Sequence, residues 1–133
     1  MIVEVVGAVI LDATGRLLTV RKRGTERFML PGGKREAGED DLTALARELD
    51  EELGVRLAHA ELLGVFEARA ANEAGATVRS HAYLAEISGD VTIAAEIEAL
   101  LWLDQTQPPE VPLAPLLVTG ILPALSARRA ASA

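Results

Sequence analysis

The chain has 133 residues, half of them apolar, no cysteine and a formal net charge of −7. That length supports one domain, residues 1–133, around one core; disulfides and thiolate metal sites are excluded, and the negative balance argues against a nucleic-acid polymer as partner. No apolar run reaches the roughly eighteen residues of a membrane span, and the N-terminus lacks the basic flank and cleavage site of a secretory signal, so a cytoplasmic protein with no membrane partner is expected.

In chain order, the β-branched run "IVEVVGAVIL" predicts a first strand, "DATGR" a turn at Asp12 to Gly15, and "LLTVRKR" a second strand. A polar turn from Gly24 to Arg27 precedes the short apolar run "FML", which Pro31 and the pair Gly32 and Gly33 end. Leu42, Leu45, Leu49 and Leu53 recur at spacings of three and four, which predicts a helix between Asp40 and Leu53 burying one stripe. Asp40 or Asp41 caps its start, and Gly54 ends it in the left-handed conformation that glycine tolerates. The segments "AELLGVFEARA" and "TVRSHAYLAEI" flank the turn "NEAG" and predict a hairpin. A short strand around "LLWLD" leads into the proline-rich "QTQPPEVP". The tail from Leu113 to Ala127 reads as a helix in which Pro115 fits the first turn and Pro123 makes a kink or break. This order predicts an α+β fold, a mixed β-sheet packed between helices.

The predicted helix carries an unusual load of acid. A helix turns by about 100° per residue, which puts Glu48, Glu51 and Glu52 together roughly 110° from the leucine stripe, on the side away from the core. Three carboxylates at i, i+3 and i+4 repel one another by some tenths of a kcal/mol per pair, roughly, and hard divalent cations favour such oxygen donors. Read alone, "RELDEELG" is equally an ordinary solvated helix face. Its context is more specific, because Gly33, Glu39, Arg47, Glu48, Glu51, Glu52 and Gly54 stand at set spacings. Seven identities, each found about once in fifteen positions, coincide by chance in roughly one of 10⁸ placements.

Those seven residues, closed by the apolar Val55 and preceded by "LPGGK", resemble the signature of the Nudix hydrolases. The resemblance implies an α/β/α sandwich of the MutT-like kind. It also implies magnesium-dependent hydrolysis, with manganese as a substitute, of a phosphoanhydride bond in a nucleoside diphosphate linked to another moiety. Glu48, Glu51 and Glu52 would be the metal ligands, with the Gly33 carbonyl as a further one. Arg47 would orient a neighbouring glutamate, Glu39 would support the loop, and Gly54 would serve the turn. The general base is Glu48, or a carboxylate outside the motif for which Glu96 resembles the extra acidic position of many members.

Hydrolysing a phosphoanhydride requires spread negative charge to be neutralised and a water to be aimed in line. Arg16, Arg21, Lys22, Arg23, Arg27, Lys34 and Arg35 all precede the acidic helix. Strand alternation lets part of that set face a substrate, and Lys34, Arg21 and Arg23 are the expected phosphate contacts. His81 is expected in a structural or base-stacking role and Trp102 in the core. The subfamily markers for ADP-ribose and dinucleoside polyphosphates are missing from the stretch Ala70 to Glu73. The asparagine that reads oxidised purines in the MutT type has no counterpart near the C-terminal helix, since Asn72 is the chain's one asparagine. The expected partner is a small nucleotide, and the protein a monomer or homodimer. The alternative reading is a nucleotide-binding sensor of the same fold that does not hydrolyse.

Overall fold

The computed structural model describes residues 1–70 and 74–132. Ala71, Asn72 and Glu73, which include part of the expected hairpin turn and of the subfamily-marker stretch, lie outside the described residues. Among the described residues, six strands and two α-helices occur in the order β1 (Ile2–Val9), β2 (Leu17–Lys22), β3 (Gly32–Gly33), α1 (Asp41–Leu53), β4 (Arg56–Arg69), β5 (Thr77–Ser88), β6 (Ile97–Leu103) and α2 (Leu122–Ser132), with a π-helical turn over Leu117–Ile121 leading into α2. The class is α+β, as the element order predicts.

One sheet runs β3-β1-β5-β4 and a second pairs β2 with β6. β1 and β5 are parallel, with Val5 opposite Ser80 and Gly7 opposite Ala82, whereas β1–β3 and β4–β5 are antiparallel. The turn at Asp12 ties the sheets together: the Asp12 carboxylate accepts from the backbone N–H groups of Thr14 and Arg16, and Leu18 N–H donates to Ile10 O at 2.9 Å. Leu45, Leu49 and Leu53 of α1 are fully buried against Val6, Ala8, Ile10, Leu18 and Val20. The other face of the sheet is covered by the C-terminal helical segment through Leu117, Ile121 and Leu125, packed on Val9, Leu17 and Ala82. The sheet therefore lies between helices. No helix among the described residues is long and apolar enough to cross a membrane.

Several local expectations need correction. Leu42 belongs to the leucine stripe by spacing but is 43% exposed, because the first turn of α1 projects beyond the core; Ala44 is buried instead. The short apolar run "FML" joins its neighbours through isolated bridges, Met29 to Val20 and Phe28 to Leu113, and the strand pairing falls on the glycines expected only to end that run. Leu113 is held in that bridge, so the helical tail begins only at Pro115. Pro123 does not break the tail, which continues as helix to Ser132. A π-helical turn over Leu117–Ile121 precedes it, closed by Leu122 N–H to Leu117 O, and this wider turn accommodates a residue that has no N–H to donate and whose ring crowds the carbonyl four residues back.

Each glycine of β3 is needed for a different close approach. A Cβ on Gly32 would lie 2.1 Å from Val6 O, and its φ of +144° is one that side chains rarely adopt. A Cβ on Gly33 would lie 2.7 Å from Glu48 Oε1. In contrast, Gly15 has φ +84° with open space around it. Gly32→Ala is therefore expected to lower unfolding stability by about 3 kcal/mol or more, and Gly15→Ala by about 1–2 kcal/mol, in urea titrations of the two variants.

Candidate active site

A cleft of about 530 Å³ opens beside the glycine loop. Its polar lining includes Lys22, Lys34, Arg35, Glu36, Arg47, Glu48, Arg69 and Glu96, and its apolar lining includes Val3, Val5, Val78, Leu116 and Leu117. Apart from Arg69, at the end of β4, these polar groups converge because four segments meet there: the end of β2, the glycine loop, the middle of α1, and the chain entering β6.

α1 is capped at its start by the Asp40 carboxylate, which accepts from Thr43 N–H at 2.8 Å. Gly54 ends it with φ +65° and ψ +26°. Beyond Gly54 the helix is closed from outside, since Thr92 N–H donates to Leu53 O at 2.9 Å and Ala94 N–H to Glu52 O at 3.0 Å. That docking brings the chain to Ala95, which has a positive φ of 53°, and then to Glu96 at the cleft.

Glu52 is only 2% exposed. The expectation that the acids avoid the core is wrong for this residue: the glycine loop folds over it, and Gly32 N–H donates to its Oε1 at 3.2 Å while Oε2 is buried without a partner. Burial, reinforced by the neighbouring Glu48 carboxylate, pushes its pKa well above the usual carboxylate range; the Gly32 N–H and Lys22 pull the other way. Glu48 is pressed against Gly33 Cα and receives Arg47 at 3.0 Å. Glu51 is half-exposed and turned to Arg47 at 3.4 Å.

Arg47 gathers this constellation. Its Nε and one terminal nitrogen grip both oxygens of Glu39 at 2.7 and 2.9 Å, and it also donates to Lys34 O at 3.1 Å. Glu39 in turn accepts from Glu36 N–H at 2.7 Å. The guanidinium first, and then that N–H, hold the Glu39 carboxyl down at about 2. One cation therefore fastens the loop that follows the glycines to the helix that carries the acids.

The predicted phosphate contacts divide. Lys34 lines the cleft, whereas Arg21 and Arg23 are not among its lining residues. Arg21 donates to Thr25 O at 2.9 Å and lies over the Phe28 ring, 5.9 Å from its centroid. Alternation along β2 puts Lys22, between them, on the cleft side, where its Nζ lies 3.2 Å from Glu96 Oε1. Lys22 was within the basic run but was not singled out, because alternation is informative only once the inward face is known. Arg35 was likewise not singled out. It lines the cleft while pairing with Asp41 and, at 3.2 Å, with Glu4. His81 stands on the opposite sheet face, its Nδ1 3.4 Å from Asp41 Oδ2, in a structural setting. Trp102 packs at the margin of the core.

Among the described residues no three acidic or imidazole side chains form a ready metal cluster. The Glu48 and Glu52 pair nevertheless fits a divalent cation in its donor chemistry: two adjoining carboxylates, one with a buried oxygen left unpartnered, beside a residue with no Cβ. Glu51 would join them by leaving Arg47.

A sequence model of the NUDIX domain matches residues 1–118. The solution structure of the E. coli ORF135 protein superposes with a TM-score of 0.78 at 31% identity, covering 98% of this chain and 92% of that one. The crystal structure of the MutT NUDIX hydrolase from Burkholderia pseudomallei gives a TM-score of 0.75 at 31% identity, covering 95% and 97%. The 8-oxo-dGTP diphosphatase of Haemophilus influenzae is 39% identical over 70 residues, which is 50% of this chain and 52% of that protein. The chain spans about half or less of the length of the curated relatives it matches.

Two outcomes follow from the charges. Because the folded pKa of Glu52 is raised, the folded state holds this proton more tightly than the unfolded chain, so the group costs stability increasingly as pH climbs above 4.5. Without divalent cations at pH 8, Glu52→Gln is expected to melt a few degrees above the parent, yet to lose the rise in melting temperature that magnesium gives the parent. Glu39 has the opposite sign: its depressed pKa contributes stability that is lost as pH falls from 4.5 towards about 2. Glu39→Gln is expected to flatten that acid limb in pH-dependent melts.

Proposed function

The chain belongs to the NUDIX domain family, and on that premise we propose that it is a magnesium-dependent hydrolase of a nucleoside triphosphate or related nucleoside diphosphate derivative. The observation that carries this reading is the buried, unpartnered oxygen of Glu52 behind Glu48, which itself lines a cleft that also presents Lys22, Lys34 and Arg35. The similarity to proteins named as a MutT NUDIX hydrolase and an 8-oxo-dGTP diphosphatase supports the same substrate class.

Glu48 and Glu52, with Glu51 and the Gly33 carbonyl, would hold the magnesium ion, which when bound screens phosphate charge and acidifies a water. Lys34 and Lys22 neutralise the phosphate oxygens as charge develops on them. Arg47, bound on both sides to carboxylates, is a positioning residue that holds Glu48 towards the cleft. Glu96 is the candidate base. It is more open than Glu48, the other acid placed at the metal end of the cleft, and the docking of residues 92–94 on the end of α1 ties the chain that carries it to that helix. The attacking water passes a proton to Glu96 as its oxygen bonds to phosphorus, the anhydride P–O bond breaks, and the released phosphate carries away the electron pair.

The test is product analysis by chromatography on nucleoside triphosphates, oxidised dGTP, ADP-ribose, nucleotide sugars and dinucleoside polyphosphates with magnesium. Glu96→Gln is expected to lower kcat by about 10²- to 10⁴-fold while keeping the magnesium-induced thermal shift, and Glu48→Gln to lose both. Parent protein that binds nucleotides but cleaves none across metals and pH would overturn the hydrolase reading in favour of a sensor.

A further inference from the structure

A row of charged side chains crosses the sheet on the face that carries α1 and ends at the glycine loop. Along β1, Val3 and Val5 line the cleft, and alternation points Glu4, between them, to the other face. Glu4 stands opposite Arg79 of β5, and Arg79 opposite Glu67 of β4; the arginine lies 3.2 Å from the first acid and 3.1 Å from the second. The other Glu4 oxygen is 3.2 Å from Arg35, whose second terminal nitrogen is bonded to Asp41 in the first turn of α1. Tyr83 donates its hydroxyl to the remaining Asp41 oxygen at 2.5 Å, and His81 stands between the two acids, Nδ1 3.4 Å from Asp41 and Nε2 3.7 Å from Glu4. Glu4, Asp41, Arg79, His81 and Tyr83 are not among the described residues that line the cleft, so metal and phosphate binding leave this row without a role.

The row fixes which way the loop faces. β3 is two glycines long, with Gly32 opposite Gly7 and Gly33 opposite Val6, and neither glycine has a side chain to tell one face of the loop from the other. Continuing that pairing past Gly33 brings Lys34 beside Val5 and Arg35 beside Glu4, pointing to opposite faces. The contacts agree. Lys34 and Val5 both line the cleft, and Arg35, although it borders the cleft, has its guanidinium forked between Glu4 and Asp41. A rotation that turned Lys34 away from the cleft would have to pull Arg35 from two carboxylates at once.

We propose that Glu4 and Asp41 are positioning residues that act through Arg35 to present the Lys34 ammonium to the phosphate groups of the substrate. The inference rests on the reading of the cleft as a phosphate site. It carries the opposite sign from simple electrostatics. Carboxylates near an anion repel it, so their removal by itself favours anion binding. If the two acids hold Lys34 in place, their removal weakens binding instead.

Calorimetric titration with magnesium and methylenediphosphonate, a diphosphate analogue whose P–C–P bridge resists water, distinguishes the two signs. The double variant Glu4→Gln with Asp41→Asn is expected to bind about fivefold more weakly than the parent, and the same two changes in a Lys34→Ala background to alter affinity by less than about twofold. Glu4→Gln alone, which leaves the first turn of α1 untouched, is expected to give a smaller loss with the same dependence on Lys34. Unchanged or tighter binding overturns the proposal, the tighter result being that of lost repulsion or of a released Arg35. A loss that persists without Lys34 overturns it too, because it would mark general damage to the loop. Parent binding that depends on Lys34 but is indifferent to the two acids sinks this inference alone. A parent that fails to bind the analogue removes the phosphate reading as well.

Discussion

The structure depends on how closely a backbone can be pressed between a strand and a helix. Gly32 lies against the backbone of β1 and Gly33 against the carboxylate of Glu48, so the loop fits into a gap that one methyl group would overfill. Because it fits, its Gly32 N–H reaches Glu52 and its continuation covers that acid. The burial of Glu52 is thus a backbone effect. A carboxylate at this position on a free helix would sit in water with an ordinary pKa. Under the glycine loop it becomes a group whose proton is hard to remove and whose second oxygen lacks a donor.

Arg47 solves the complementary problem of keeping so many acids together. Its guanidinium meets Glu39 bidentately and reaches Glu48, Glu51 and the Lys34 carbonyl. A planar fork with five donors serves all of these, which a lysine ammonium could not do in the same geometry. The low pKa of Glu39 and the raised one of Glu52 are two results of the same assembly: the first acid is given a cation and a backbone donor, and the second is given burial and another acid.

Much of this was legible in the sequence. The leucine spacing located α1, the glycines and acids carried the family resemblance, and the order of elements indicated a sheet between helices. What escaped has physical causes. Helical periodicity assigned Glu52 to solvent because it considers the helix alone, whereas the loop that buries this residue comes from twenty positions earlier. Arg21 and Lys22 are chemically similar and adjacent, and which one faces the cleft is decided by the pairing of β2 with β6, a contact between distant segments. The two glycines read as the end of a strand although they are one, since pairing through backbone needs no side-chain pattern. Pro123 does not end the helix, because the turn before it widens.

The segment between β5 and β6 has a further consequence. Its Thr92 and Ala94 amides complete the open end of α1, and two residues later the chain delivers Glu96 to the cleft. The join works like a ruler whose zero is the last turn of the helix. Changes of length in this segment would shift Glu96 relative to Glu52 even if both elements survived intact. The turn at Asp12 carries no such constraint on the cleft. Insertions and deletions among relatives with the same chemistry should accordingly gather at turns of that kind and be rare between Thr92 and Glu96, making the length of this stretch a trait under selection independently of its composition.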